Sequence, residues 1–254
     1  MPTELEPEPE MTSPPRGRGI YLLPNLFTLT ALFAGFYAII AAMKGNFENA
    51  FIAIFVAMVM DTLDGRVARL TNTQTAFGAE LDSLSDMVSF GIAPSLIAYT
   101  WGLGALGKAG WLVTFVYTVA VALRLARFNT QVSAADKRFF RGLPCPAGAA
   151  VVVSWIWCLY EYDLSSRVSQ IAVAVITIAI SLLMVSNLSY YSFKTFDLKN
   201  KVPFLAILGI VLFFVLVSID PAVILLLASS LFALSGVALW VWKWRRRKYG
   251  KRHQ

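Results

Sequence analysis

The stretch MDTLDGRVARLTNTQTAFGAELDSLSDMVSF, residues 60–90, places four aspartates between two nearly uninterrupted apolar runs. Asp61 and Asp64 are three residues apart, and Gly65 and Ala68 follow at i+4 from each. On a helix these four share one face, two acids followed by two residues with almost no side chain. Gly78, Asp82, Ser85, Asp86 and Ser89 fall at helical spacing on a second polar stripe. The link between the stripes, residues 66–77, is short, so the two helices are expected to be antiparallel neighbours whose polar faces meet. Four carboxylates gathered in a low-dielectric setting repel one another strongly unless a cation neutralises them. Oxygen-only ligands of this type suit Mg²⁺ or Mn²⁺. The small residues beside them leave space for a flat group such as a base and sugar to lie against helix backbone. Arg69, one turn further, is placed to meet phosphate oxygens.

The elements that must position these residues are membrane spans. Of 254 residues, 57% are hydrophobic and only 15% charged, with a mean hydropathy of +0.65. A soluble domain of this length does not have that composition. The fold class expected is all-α, a polytopic transmembrane helical bundle. Apolar runs long enough for a hydrocarbon core of about 30 Å can be placed eight times. They cover residues 21–43, 47–63, 78–99, 111–127, 146–160, 168–188, 202–218 and 221–242, the fifth being the shortest. A disordered acidic, proline-rich N-terminus is expected over 1–19, a six-span catalytic domain over 20–188, two further spans over 189–243 and a basic tail over 244–254. The N-terminus has neither the basic start nor the cleavage site of a secretory signal, so the first run is expected to be retained as a span.

Of the 22 Lys and Arg, all but Lys44, Lys108 and Arg167 fall on one side of this arrangement. Short basic loops stay cytoplasmic, which puts both termini and the aspartate-rich turn on the cytoplasmic face of a cell membrane. The formal charge of +7 then reflects membrane anchoring. The run KWRRRKYGKRH at the C-terminus reads as a patch for anionic lipid headgroups, and no nucleic-acid partner is expected.

Cys145 and Cys158 form no metal-ligand spacing and read as packing residues. The single histidine, His253, lies in the tail, so a histidine base or phosphohistidine in the membrane is excluded. An isolated aspartate at a membrane end is ordinarily solvated, and a transmembrane Gly or Ala ordinarily mediates helix packing. Four acids and three small residues in register on adjoining spans point instead to a site. A divalent-cation transporter would also use intramembrane acids, but it gives Gly65, Ala68, Arg69 and Gly78 nothing to do. It also needs a polar path through FIAIFVAMVM and IAPSLIAY, which offer little.

The segment DTLDGRVARLTNTQTAFGAELDSLSD resembles the signature of the CDP-alcohol phosphatidyltransferase family, D-x2-D-G-x2-A-R-x8-G-x3-D-x3-D, without a departure. LPNLFTLTALFAGFYAI, DSLSDMVSFGIAPS, LRLARFN and FRGLPCPAGA are similar to the phosphatidylserine synthase branch of that family. The likeness covers residues 21–160, and eight spans fit this branch better than branches with six.

The resemblance implies a CDP-alcohol phosphatidyltransferase fold and a set of roles. Asp61, Asp64 and Asp82 would hold one Mg²⁺ or Mn²⁺, and Asp61, Asp82 and Asp86 would share a second. Gly65, Arg69 and Thr75 would contact the CDP portion, with Ala68 and Gly78 leaving it room. Asp86 would be the general base. The implied reaction joins CDP-diacylglycerol and L-serine to give phosphatidylserine and CMP, by direct displacement, in a homodimer of the inner membrane. Glycerol 3-phosphate or an inositol phosphate is the alternative acceptor, and each would require more basic residues around its pocket. A serine carboxylate wants a cation, for which Arg124, Arg127, Arg138 and Arg141 are available. Asn25 and Thr28 at the mouth of the first span are further polar candidates for the acceptor.

Overall fold

The computed structural model describes residues 22–131, 139–191 and 204–250. The acidic N-terminal segment, Arg138 and the last four residues lie outside them. The described chain is helical throughout except for one short strand pair. α1 (Leu22–Met43) and α2 (Phe47–Thr71) form a hairpin. α3 (Ala76–Asp86), a π-helical turn (Met87–Ile92) and α4 (Ala93–Trp101) make a single rod. A 3₁₀ turn (Leu103–Leu106) leads to α5 (Lys108–Gln131). Then come β1 (Phe139–Arg141), α6 (Cys145–Glu161), α7 (Arg167–Val185), β2 (Ser189–Tyr191), α8 (Phe204–Ile219) and α9 (Pro221–Gly250). Among the described residues this gives eight helical rods in the places the apolar runs indicated.

Four of them, α1, α5, α7 and α9, are individually long and apolar enough to cross a membrane. α2 and the α3–α4 rod carry the acidic and basic residues of the motif, and α6 and α8 are 17 and 16 residues long. Large apolar side chains stay exposed on helix after helix, among them Phe33, Phe115, Val175 and Phe214. Such a surface is stable only against lipid. This is a membrane protein.

Local sequence accounts for the helix ends. Pro24 and Pro146 each sit in a first turn, where a missing N–H costs no helical hydrogen bond, whereas Pro94 follows the π-helical turn inside the continuous rod. α2 stops at Asn72, whose φ of +51° is a left-handed conformation that Asn tolerates at a helix C-terminus. Thr75 then caps α3, its Oγ1 accepting from Gly78 N at 3.0 Å.

α1 packs along α2 and also touches α3, the π-helical turn and α4. Gly35 permits that approach: a Cβ there would fall 2.4 Å from Ser89 Oγ and 2.6 Å from its Cα. α6 lies in the middle, against α2, α4, α7 and α9, while α8 packs chiefly on α9. The core of the bundle includes Phe51, Ile54, Phe90, Ile97, Tyr117 and Ile156, all fully buried. β1 and β2 pair antiparallel, Phe139 opposite Tyr191 and Arg141 opposite Ser189, a feature no periodicity in the sequence announced. Tyr190, between those pairs, is buried against α9, donating its hydroxyl to Ala233 O at 3.1 Å. The pair thereby ties the α5–α6 link to the last helix.

Candidate active site

The polar stripes of α2 and α3 do meet. One carboxylate oxygen from each of Asp61, Asp64 and Asp82 lies within 4.8 Å of the other two. Opposite ligands of a single octahedral Mg²⁺, each at ~2.1 Å, stand ~4.2 Å apart, so a small closure brings all three oxygens onto one ion. The donor set is hard oxygen only, as that ion requires. Asp86, one turn beyond Asp82, is within side-chain hydrogen-bonding reach of Asp61, and the Arg124 guanidinium on α5 is the cation that faces it. The residues present fit a divalent metal.

The surroundings of the small residues differ from one another. A Cβ on Gly65 would meet nothing within 4 Å, so this glycine packs against no helix and borders open space. A Cβ on Gly78 would lie 3.1 Å from Thr75 Oγ1 and 3.3 Å from Asn25 Oδ1. Asn25 therefore stands beside Thr75 and Gly78. Ala68 is partly buried and Arg69 exposed, with Arg69 Nε donating to Gly65 O at 2.7 Å. That bond folds the arginine back over its own helix and leaves the Nη fork, four N–H donors, for another acceptor.

The arginines near the site have separate settings. Arg124 Nη1 donates to Cys145 Sγ at 3.1 Å, and its buried Nε has no hydrogen-bond acceptor. Arg127 turns the other way, donating to Val185 O at 3.3 Å and to Asn187 Oδ1, and so fastens α5 to the end of α7. Arg141 lies on β1.

Comparison with known proteins now decides the family. The family profile of CDP-alcohol phosphatidyltransferases matches residues 21–196. The chain belongs to that family. Among curated members, the CDP-diacylglycerol–serine O-phosphatidyltransferase of Helicobacter pylori (strain ATCC 700392 / 26695) is 36% identical over 222 residues, 87% of this chain and 92% of that protein. The protein of the same name from Methanocaldococcus jannaschii is 31% identical over 224 residues, 88% and 96%. The one from Bacillus subtilis (strain 168) is 34% identical over 179 residues, 70% and 94%.

Several groups in this phosphatidyltransferase acquire a place that their spacing did not reveal. Thr28, read from sequence as a polar contact for the acceptor, gives its hydroxyl proton to Asp64 Oδ2 at 2.7 Å. Cys145, read as a packing residue, is fully buried as expected, but its sulfur is the acceptor for Arg124. Asn129 on α5 donates to Ser83 Oγ at 3.1 Å, beside Asp82. LRLARFN was the only sequence signal for Arg124 and Asn129, and nothing in it says which neighbour each would meet.

Proposed function

We propose that the protein transfers the phosphatidyl group of CDP-diacylglycerol to L-serine, giving phosphatidylserine and CMP. The observation that carries this reading is the cluster of Asp61, Asp64 and Asp82 oxygens beside the uncrowded backbone of Gly65. It is supported by similarity over as much as 88% of the chain to proteins named for that reaction.

Asp61, Asp64 and Asp82 would hold a Mg²⁺ or Mn²⁺ ion, and Asp86 beside Asp61 favours a second ion shared with Asp61 and Asp82. Bound there, the metal supplies positive charge to the diphosphate and to the departing CMP. Gly65 and Ala68 give the nucleotide a place against α2, with Gly78 leaving it room on the facing helix. Arg69 offers its Nη fork to a phosphate oxygen. Asn25 and Thr75 present polar oxygens on the nucleotide side of Gly78.

Asp86 is the base. It takes the proton of the serine hydroxyl, the serine oxygen forms a bond to the β-phosphorus, and the bond from that phosphorus to the bridging oxygen breaks, releasing CMP. Direct displacement is favoured because the one cysteine near the carboxylates, Cys145, is fully buried, away from any substrate. Arg124, facing Asp86, is the better placed of the two described α5 arginines for the serine carboxylate. Arg127 is already engaged at the end of α7 and is a weaker candidate.

The acyl chains remain in the bilayer while serine enters from water, so the site belongs at the interface. The one-sided distribution of Lys and Arg supports a cytoplasmic face of the inner membrane. It also supports a basic C-terminal tail on anionic headgroups, and a homodimer completes the reading. A cation transporter is disfavoured because α2 beyond Asp61 buries Ala50, Phe51, Ala53, Ile54 and Ala57. The test is CMP release by purified protein with CDP-diacylglycerol, Mg²⁺ or Mn²⁺, and serine, glycerol 3-phosphate or an inositol phosphate in turn. Release with serine alone is expected. Release only with a phosphorylated acceptor moves the reading to another branch, and none with any alcohol ends it.

A further inference from the structure

Thr28 stands where α1, α2 and α3 converge, and it is only 4% exposed. Its hydroxyl donates to Asp64 Oδ2 at 2.7 Å, with Pro24 O a longer second acceptor at 3.2 Å. Its backbone carbonyl accepts the hydroxyl of Ser85 at 3.1 Å, and Ser85, buried, lies between Asp82 and Asp86 on α3. One turn deeper Ser89 Oγ repeats the bond to Ala31 O at 3.0 Å. One residue of α1 therefore touches the carboxylate face of α2 through its side chain and that of α3 through its main chain.

The side-chain bond is not needed to hold the helix pair together. α1 and α2 are joined by a short hairpin turn and pack through buried Ala34, Ala38, Ala41, Ala50 and Ile54. A threonine hydroxyl can also return its proton to the carbonyl four residues back, as Thr30 does to Leu26 O at 2.8 Å. Thr28 makes its shorter bond across to Asp64 instead. A donor at one carboxylate oxygen restricts rotation about the Asp64 side chain and so fixes where its other oxygen points. Carboxylates that bind metals are oriented in this way by groups outside the ligand set, whose loss typically costs 10–100-fold in metal affinity or activity.

We propose that Thr28 is a positioning residue for the metal-binding carboxylates. It sets the orientation of Asp64 directly and, through Ser85, the rotation of the helix that carries Asp82 and Asp86. The proposal rests on the metal reading of the aspartate cluster given above.

The experiment compares wild type, Thr28→Val, Thr28→Ser and Asp61→Asn, each full length in detergent. Mn²⁺ affinity is read from loss of the free-ion electron paramagnetic resonance signal, and unfolding temperature is recorded alongside. Thr28→Val keeps the shape and is expected to weaken Mn²⁺ binding roughly 10–100-fold. Thr28→Ser keeps the donor and is expected to bind within about threefold of wild type. In CMP release, Thr28→Val is expected to need proportionally more metal and to recover most of kcat at saturation. Wild-type Mn²⁺ affinity in Thr28→Val, with Asp61→Asn impaired, overturns the proposal and leaves the metal site standing. Failure of Thr28→Ser to restore affinity also overturns it. Equal Mn²⁺ binding by wild type and Asp61→Asn overturns the metal reading itself. Should Thr28→Val not insert, Thr28→Ala removes the same donor with less bulk and is judged by the same outcomes.

Discussion

Tyr117 on α5 donates its hydroxyl to the carbonyl oxygen of Phe90 at 3.0 Å, and both side chains are fully buried. Phe90 lies in the π-helical turn that begins immediately after Asp86. The widened turn disturbs the regular ladder of backbone bonds, and the tyrosine supplies a donor there. That turn sets the rotation of α3, with its aspartates, relative to α4. Tyr117→Phe leaves a buried carbonyl short of a donor and should lower stability by about 1–3 kcal/mol. A several-fold fall in kcat with little change in KM for CDP-diacylglycerol is expected as Asp86 loses its fixed orientation. Thermal unfolding and CMP release check both, and wild-type values in both would remove the turn from the account.

Asp61→Asn, Asp64→Asn and Asp82→Asn should each reduce CMP release to background at ordinary metal concentrations, because an amide is a poorer ligand for a hard cation. Protein yield and monodispersity in detergent should be preserved, since relieving repulsion among buried carboxylates does not weaken the fold. Full activity in any one of the three removes that residue from the ligand set.

Gly65 separates room for a substrate from room for a helix. A glycine inside a helix costs roughly 0.5–1 kcal/mol relative to alanine, and a Cβ here meets nothing within 4 Å. Gly65→Ala should therefore hold or raise the unfolding temperature. Gly65→Leu should insert normally yet raise KM for CDP-diacylglycerol by tenfold or more, about 1.4 kcal/mol of lost binding. Unchanged KM and kcat in Gly65→Leu would show that no nucleotide lies against this face.

Asp86→Asn should lower the rate by more than the ~10²-fold lower end expected for losing a general base, while CDP-diacylglycerol still binds through Asp61, Asp64 and Asp82. Raising the pH should recover part of the rate as the serine hydroxyl ionises more often unaided. Excess metal should recover little. If instead excess metal restores the rate at neutral pH, Asp86 acts chiefly as a ligand.

At the opposite end of the bundle, Asp220 caps α9. Its Oδ1 accepts from Val223 N at 3.0 Å and its Oδ2 from the Tyr162 hydroxyl at 2.8 Å. The backbone bond first, then the tyrosine, holds the carboxyl below its ordinary value of 3.8. A lowered folded-state value contributes stability that is present above the unfolded value and lost as pH falls through the folded one. Asp220→Ala should thus unfold at a lower temperature than wild type at neutral pH, with the difference shrinking below about pH 4. A gap that persists unchanged in acid would mean the carboxylate charge has no part in the cap.

Much of this protein was legible before its structure. The helical period turns spacing into direction, so Asp61, Asp64, Gly65 and Ala68 had to share a face, as did Gly78, Asp82 and Asp86. The thickness of a bilayer made the apolar runs into rods, and those rods stand where they were expected. Lateral order and rotation are another matter, because lipid does not distinguish one apolar face of a rod from the next. Only the packed bundle decides that Thr28 meets Asp64, 36 residues away. The same packing sets Arg124 against Cys145 and turns Arg127 toward the end of α7. The π-helical turn and the β1–β2 pair are equally tertiary. Each depends on a partner remote in the chain, Tyr117 for one and α9 for the other, and periodicity within a single segment carries no record of a partner elsewhere.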